Sequence, residues 1–304
     1  MNSIEGIIEA ARGSRAGKLA IAAAQDVDVL KAAVQAAEAG IVEPILVGDL
    51  EEITRLLSSL GRKASDFSLV EAGEPAECAM ITARLVDSGK ADFLMKGKLG
   101  TAELLRAVLN KDLGLRTGRL LSHIMLYQVP SYPRMLVMTD GGMNTFPDLA
   151  KKADILENAA LLLKKLGYGS MTAACVCGAE LVDPKIQSTL DAAALAAMTE
   201  RWASYGLRVL GPVGLDLAIS PEACIHKGYS VEGCGSADIL LVPTYEVGNG
   251  IGKTLTYFGS AKSAGIVAGA AVPIVLVSRA DQAATKLASI ALGAVVSAHS
   301  FEVK

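Results

Sequence analysis

Aromatic residues are scarce in this chain. One Trp, seven Tyr and five Phe make up 4% of its 304 residues, although 51% of the chain is hydrophobic. Its core must therefore be built from Ala, Val, Leu, Ile and Gly, which suits buried parallel strands covered by helices of small residues. No basic run and no interleaving of basic and aromatic residues occurs, and the net charge is −3. Nucleic acid is thereby excluded as the expected partner. The longest apolar run, 264–277, is short for a membrane span and contains Pro273. Residues 1–17 carry Glu5, Glu9, Arg12 and Arg15 and no apolar signal core. The expectation is a cytoplasmic protein with no membrane partner.

Other absences narrow the chemistry. The five cysteines are an odd set without a Cys-x-x-Cys pair. Cys175 and Cys177 alternate on a predicted strand and read as small buried hydrophobes. His123, His226 and His299 lie far apart and show no ligand spacing. His226 and His299 read as structural or surface residues. No Asp-x-x-x-Asp spacing occurs, no Gly-x-Gly-x-x-Gly follows the first strand, and the P-loop order is missing. No metal site is expected.

What is present is a repeated strand-then-helix pattern. Strands are predicted at 18–24, 44–48, 68–71 and 92–95, with helices at 26–39, 49–60, 75–86 and 102–109. Strands at 120–127 and 134–139 then follow one another across Pro130-Ser131-Tyr132-Pro133, a linker that fits a hairpin and is too short for a parallel crossover. Beyond it come helices at 147–166, 186–205, 250–268 and 283–296 and strands at 172–177, 208–211, 239–242 and 273–277. The hairpin interrupts the alternation and marks a change of domain. Residues 1–118 plus 265–304 form the expected first α/β domain and 119–264 the second. Two crossings between them favour a hinge with a ligand cleft.

Four clusters carry candidate chemistry. At Lys96-Gly97-Lys98-Leu99-Gly100-Thr101, two lysines and a threonine sit on a strand-to-helix turn with glycines. A phosphate cradle at a helix start and a solvated turn both fit these residues. Gly114-Leu115-Arg116-Thr117-Gly118-Arg119 is read the same way, as a bidentate phosphate contact or a solvated linker. Thr139-Asp140-Gly141-Gly142-Met143-Asn144 ends the hairpin and turns Asp140 and Asn144 toward the expected cleft. Two apolar strands end in polar groups. The strand at 237–243 runs out into Tyr245-Glu246-Val247-Gly248-Asn249, and the strand at 273–277 into Ser278-Arg279-Ala280-Asp281. Ser and Asp serve ordinary helix capping, whereas Arg279 adds nothing to a cap and suits an anion.

Taken in order, these pieces resemble the phosphate acetyl/butyryl transferase family, closest to its phosphate butyryltransferase branch. The resemblance runs over almost the whole chain. It rests on Leu94-Met95-Lys96-Gly97 with Thr101, on Gly114–Arg119 with Ser122-His123, and on Asp140–Asn144 with Pro147-Asp148-Leu149. Further on it rests on 237–243, on Glu246–Asn249, and on Ser278–Asp281 with Lys286-Leu287. The resemblance implies a two-domain fold like the isocitrate and isopropylmalate dehydrogenases, with parallel and mixed sheets, an interdomain cleft and a homodimer. It implies exchange of acyl-CoA and phosphate for acyl phosphate and CoA, of short, butyryl-type acyl groups. Coenzyme A enters as a substrate, no cofactor is tightly bound, and no metal or nicotinamide takes part.

The resemblance sets Ser278 and Arg279 beside the reacting centre, and Ser278, Arg279 and Asp281 are the expected catalytic residues. Lys96, Lys98, Thr101 and Arg119 line the phosphate side, while Asn144, Glu246 and Asn249 shape the cleft. In the acetyl branch an Asp several residues past the Ser-Arg pair is proposed as base for the CoA thiol. The matching position here is Thr285, and Asp281 is the nearest acid. Two other enzymes remain as alternatives: a metal- and NAD-dependent dehydrogenase of the same general fold, and a phosphate:acyl-carrier-protein acyltransferase. A silent binding protein of this fold is a third.

Overall fold

A computed structural model describes residues 1–278 and 281–298. Arg279, Ala280 and His299 lie outside the described residues. The chain divides into two compact units, and each is treated by itself. The first comprises Ile4–Arg119 and the chain from Ala264 onward; the second comprises Leu120–Ser263 with Met1–Ser3.

In the first unit the strands are β1 (Gly17–Ala22), β2 (Val42–Gly48), β3 (Ser68–Glu71) and β4 (Phe93–Lys96). The strands β10 (Lys262–Ala268) and β11 (Ile274–Val275) complete it, β10 for all but its first two residues. Their order is β3-β2-β1-β4-β11-β10. All neighbours are parallel except β10 and β11, which pair antiparallel at Ile266↔Val275 and Val267↔Ile274. Leu19–Ala22 and the whole of β4 are buried, as strands covered on both faces require. Helix starts follow the sequence signals. The Asp26 carboxylate accepts the Asp28 and Val29 N–H groups at 3.0 and 2.9 Å, and Asp49 accepts that of Glu52 at 3.0 Å. Helix Ala283–Ala298 packs on helices Val27–Glu38 and Ile4–Arg12.

The second unit holds β5 (Ser122–Gln128), β6 (Met135–Thr139), β7 (Met171–Val176), β8 (Leu207–Val213) and β9 (Ile239–Leu241), in the order β5-β6-β9-β7-β8. β5 and β6 form the antiparallel hairpin predicted across Pro130–Pro133, from Ile124↔Thr139 to Gln128↔Met135. The remaining pairs are parallel. The core of this unit is aliphatic, with Leu136, Met138, Ala174, Leu210 and Leu240 buried together.

Two expectations are corrected. Residues 250–268 are not one helix. The helix is Tyr245–Tyr257, and after Gly259 and Ser260 (φ 51°) the chain becomes strand β10. Small apolar residues such as 264–268 satisfy either period, so periodicity could not decide between helix and strand. The apolar run 264–277 is accordingly a strand, a turn and a second strand. The helix expected at 186–205 is two, Gln187–Ala197 and Thr199–Ala203, interrupted at Met198. The N-terminal segment, read only for its lack of a signal core, contains helix Ile4–Arg12, whose Ile4, Ile7 and Ala11 are buried at three- and four-residue spacing.

Candidate functional site

In the first unit the chain winds from β1 to β2 and β3 on one side, then returns to place β4 on the other side of β1. The carboxyl ends of β1 and β4 therefore form a switch point, where open α/β sheets take ligands. Lys96 to Thr101 occupy that position. The Gly97 and Lys98 N–H groups donate to the carbonyls of Ala22 and Ala23 at 2.9 and 2.7 Å, pinning the turn to the end of β1. A Cβ on Gly97 would stand 2.2 Å from the Ala23 carbonyl oxygen, so no other residue fits there without moving the strand.

The two lysines of this turn differ. Lys96 is buried, and its Nζ donates to the carbonyls of Gly97 and Leu99, each at 3.3 Å. Its charge lies under the turn. Lys98 is exposed. Thr101 opens helix Thr101–Val108, where the Glu103 carboxylate accepts the Gly100 N–H at 2.8 Å.

β11 runs parallel beside β4 with Ile274 opposite Leu94 and Val275 opposite Met95. Ser278 thus follows the carboxyl end of the strand next to the one that carries Lys96. The Ser278 N–H donates to Asp281 Oδ2 at 2.8 Å and the Asp281 N–H returns to the Ser278 carbonyl at 3.1 Å. One oxygen of Asp281 is therefore committed to closing this turn. Arg119 is exposed at the end of a segment held by backbone contact of Arg116 with Ala270 and of Leu115 with Ala271. Lys96 is the last residue of β4, and Lys98, Thr101, Ser278 and Asp281 lie beyond the carboxyl ends of β4 and β11, two adjacent parallel strands in one unit.

The second unit gathers Asn144 and the Asn249 helix start at the loop of Asp140, an acid to which the sequence reading assigned no role. Asp140 follows β6 and is 2% exposed. Its Oδ1 accepts the N–H groups of Gly142 and Met143, both at 2.8 Å. Its Oδ2 accepts Asn144 Nδ2 at 2.6 Å, the His123 N–H at 3.1 Å and the Asn144 N–H at 3.4 Å. Asn144 Nδ2 also donates to the Leu121 carbonyl at 3.0 Å. β9 lies parallel to β6 and leads into helix Tyr245–Tyr257. Glu246, Gly248 and Asn249 are therefore in the opening turns of a helix, not on a strand end. A Cβ on Gly141 would stand 2.8 Å from the Gly248 carbonyl carbon, and one on Gly248 would stand 2.7 Å from Gly141 Cα. Two glycines let loop and helix touch, which brings Asn249 beside the Asp140 loop. Glu246 is exposed in the first helical turn, where a negative charge suits the dipole.

A second feature of this unit also escaped the sequence reading. A cavity of about 510 Å³ borders the residues after β9 and the starts of helices Leu149–Lys165 and Gln187–Ala197. Its size is that of a small-molecule pocket. In its wall Lys152 Nζ and Asp191 Oδ2 form a buried ion pair at 2.6 Å, and Gln187 Nε2 donates to Asp191 Oδ1 at 2.8 Å.

Burial pushes the thiols of Cys78, Cys175 and Cys177 up, and that of Cys224 up to about 11. None of these four is activated as a nucleophile. Burial also lowers Lys165 to about 8. Among the described residues no group of three or more His, Cys, Asp or Glu is placed to hold a metal ion, and no helix is long and apolar enough to cross a membrane.

Comparison with known proteins places these features. The family model described as "Phosphate acetyl/butaryl transferase" matches residues 74–294. The chain is 42% identical to the phosphate butyryltransferase of Clostridium acetobutylicum, over 97% of this chain and 98% of that one. It is 38% identical to the phosphate acetyltransferase of Thermotoga maritima, over 96% and 99%. Among solved structures, a branched-chain phosphotransacylase from Enterococcus faecalis superposes with a TM-score of 0.82 at 31% identity, covering 93% of this chain and 99% of that one. The mixed α/β architecture is thus the dehydrogenase-like fold of the phosphotransacylases, and the dehydrogenase alternative is not favoured. The chain belongs to the phosphate acetyl/butyryl transferase family, a family of transferases.

Proposed function

We propose that the protein exchanges an acyl group between coenzyme A and inorganic phosphate, R–CO–S–CoA plus phosphate giving R–CO–O–PO₃ plus CoA–SH. The observation that carries this reading is the placement of Lys96 at the carboxyl end of β4, and of Lys98, Thr101 and Ser278 past the ends of β4 and β11. Those are basic and hydroxyl groups where an open sheet takes its ligand. Lys98 and Arg279 hold the phosphate, with Thr101 and the helix start behind it donating hydrogen bonds. Lys96 supplies positive charge from beneath the turn.

In the direction of thioester synthesis the CoA thiol must lose its proton, since a thiol near pKa 8.5 is mostly protonated at neutral pH. Asp281, the acid nearest Ser278, takes that proton. The thiolate sulphur attacks the acyl phosphate carbonyl carbon, and a C–S bond forms. The carbonyl electrons move onto oxygen, where Ser278 donates a hydrogen bond and Arg279 balances the charge. Collapse breaks the C–O bond and releases phosphate with that electron pair. The reverse direction uses phosphate oxygen as nucleophile and CoA sulphur as leaving group. No acyl-enzyme is required, and the raised thiols of the buried cysteines agree with direct transfer. Arg119, in the same unit as Lys98 and Thr101, lines the phosphate side with them. The same reading takes short, butyryl-type acyl groups, treats CoA as substrate with no tightly bound cofactor, and places a homodimer in the cytoplasm.

The test is Arg279→Ala in a phosphate-dependent assay of thiol release from butyryl-CoA. Losing one charge-assisted contact costs roughly 1.5–3 kcal/mol, which is about a ten- to hundredfold fall in turnover. Activity near that of the parent protein removes Arg279 from the mechanism.

A further inference from the structure

Helix Ala283–Ala298 is the most apolar long helix among the described residues, and Lys286 is the one charged residue within it. Lys286 is 2% exposed, among neighbours such as Ala288, Ile290 and Ala291 that are also buried. Taking an ammonium out of water costs several kcal/mol unless its donors are satisfied, so a methionine or leucine there would be the cheaper way to fill the space. The charge has a partner that explains it. Lys286 Nζ donates to the backbone carbonyl of Asp281.

That carbonyl belongs to the turn already described. Asp281 accepts the Ser278 N–H on Oδ2 at 2.8 Å and donates its own N–H to the Ser278 carbonyl at 3.1 Å. One hydrogen bond therefore links the buried lysine to Asp281, and two more join Asp281 to Ser278. Ser289, one turn further along the helix, donates to the Thr285 carbonyl at 2.8 Å and accepts the Gly265 N–H of β10 at 2.9 Å. The helix is thus tied to the sheet by Ser289 and to the turn by Lys286. Removing the ammonium leaves the helix attached to the sheet and unfastens only the turn.

We propose that Lys286 is a positioning residue for acyl exchange: through the Asp281 carbonyl it fixes Ser278 and Asp281 relative to the end of β11. This rests on the reading that Ser278 and Asp281 act in the reaction. Lys286 touches no substrate in this account. Its loss misplaces groups that act in the transition state, which lowers kcat more than it raises KM.

The experiment measures kcat, the KM values for butyryl-CoA and phosphate, and Tm for the parent protein, K286M and K286R. The expected result is a fall in kcat of at least about tenfold in K286M, with both KM values within about threefold. Substantial recovery is expected in K286R, which keeps a charged donor. A K286M protein with kcat within twofold of the parent overturns the proposal, whether or not its Tm falls, because a purely structural lysine would affect stability alone. Should K286M fail to fold, K286Q decides by the same kcat and KM criteria. Absence of phosphate-dependent thiol release in the parent protein would instead overturn the reading of the function, and the two failures are distinguished in one set of assays.

Discussion

Asp140 and Asp281 both follow the carboxyl end of a strand, one in each unit, and their surroundings differ. Asp140 is buried and its two oxygens accept five N–H groups, from Gly142, Met143, His123 and twice from Asn144. Asp281 is half-buried, with its Oδ2 engaged by the Ser278 N–H. The same contrast holds for the lysines. Lys152 of the second unit is locked to Asp191, while Lys98 of the first is exposed. Polar groups satisfied by one another hold shape, and polar groups left toward solvent are available to a ligand. On this comparison the polar groups of the Asp140 loop hold shape, and those at the ends of β4 and β11 are open to a ligand.

The largest effect is expected from Asp140→Ala. It strands several buried N–H groups, each worth about 1–3 kcal/mol when left without an acceptor. Chemical denaturation should report a loss of about 3 kcal/mol or more, with turnover reduced at least a hundredfold. Stability close to that of the parent would break the comparison by showing that the loop does not depend on its acid. Lys98→Met should be milder and of a different kind. Removing one exposed phosphate contact raises the phosphate KM about tenfold with Tm unchanged, and an unaltered KM would show that exposure alone does not mark the acting charges.

Lys165 gives the smallest effect and concerns the cost of burial away from the loop. In the folded protein burial holds its pKa near 8 against 10.5 for the free side chain. Between those values unfolding takes up a proton, so stability rises with pH across that window, and the cost is fully present below pH 8. The group is partly exposed, which reduces the effect to about 1 kcal/mol. Lys165→Met should be more stable than the parent at pH 7 by that amount and should lack its share of the rise between pH 8 and 10.5. Equal pH profiles would contradict the assignment.

Much of the fold was legible because local chemistry decides it. Asp26 and Asp49 are good N-caps wherever they stand, and four residues with two prolines at 130–133 leave room only for a hairpin. The segment after Tyr257 was not legible, because Ala, Gly and Val suit a buried strand and a buried helix alike and only the sheet edge available to them decides. Lys96, Lys98, Thr101, Ser278 and Asp281 could be nominated from the sequence, because polar groups that follow apolar strands stand out there. The hub role of Asp140 could not, since His123 reaches it only once β5 and β6 pair. Nor could Lys286, because spacing does not reveal that a lysine is buried or which carbonyl it meets.

The central claim is most directly tested by following free thiol released from butyryl-CoA by the purified protein, with and without inorganic phosphate. The account predicts release that requires phosphate and yields one acyl phosphate, trapped as a hydroxamate with hydroxylamine, for each thiol. Release at the same rate without phosphate, or none from any short acyl-CoA in its presence, would contradict it.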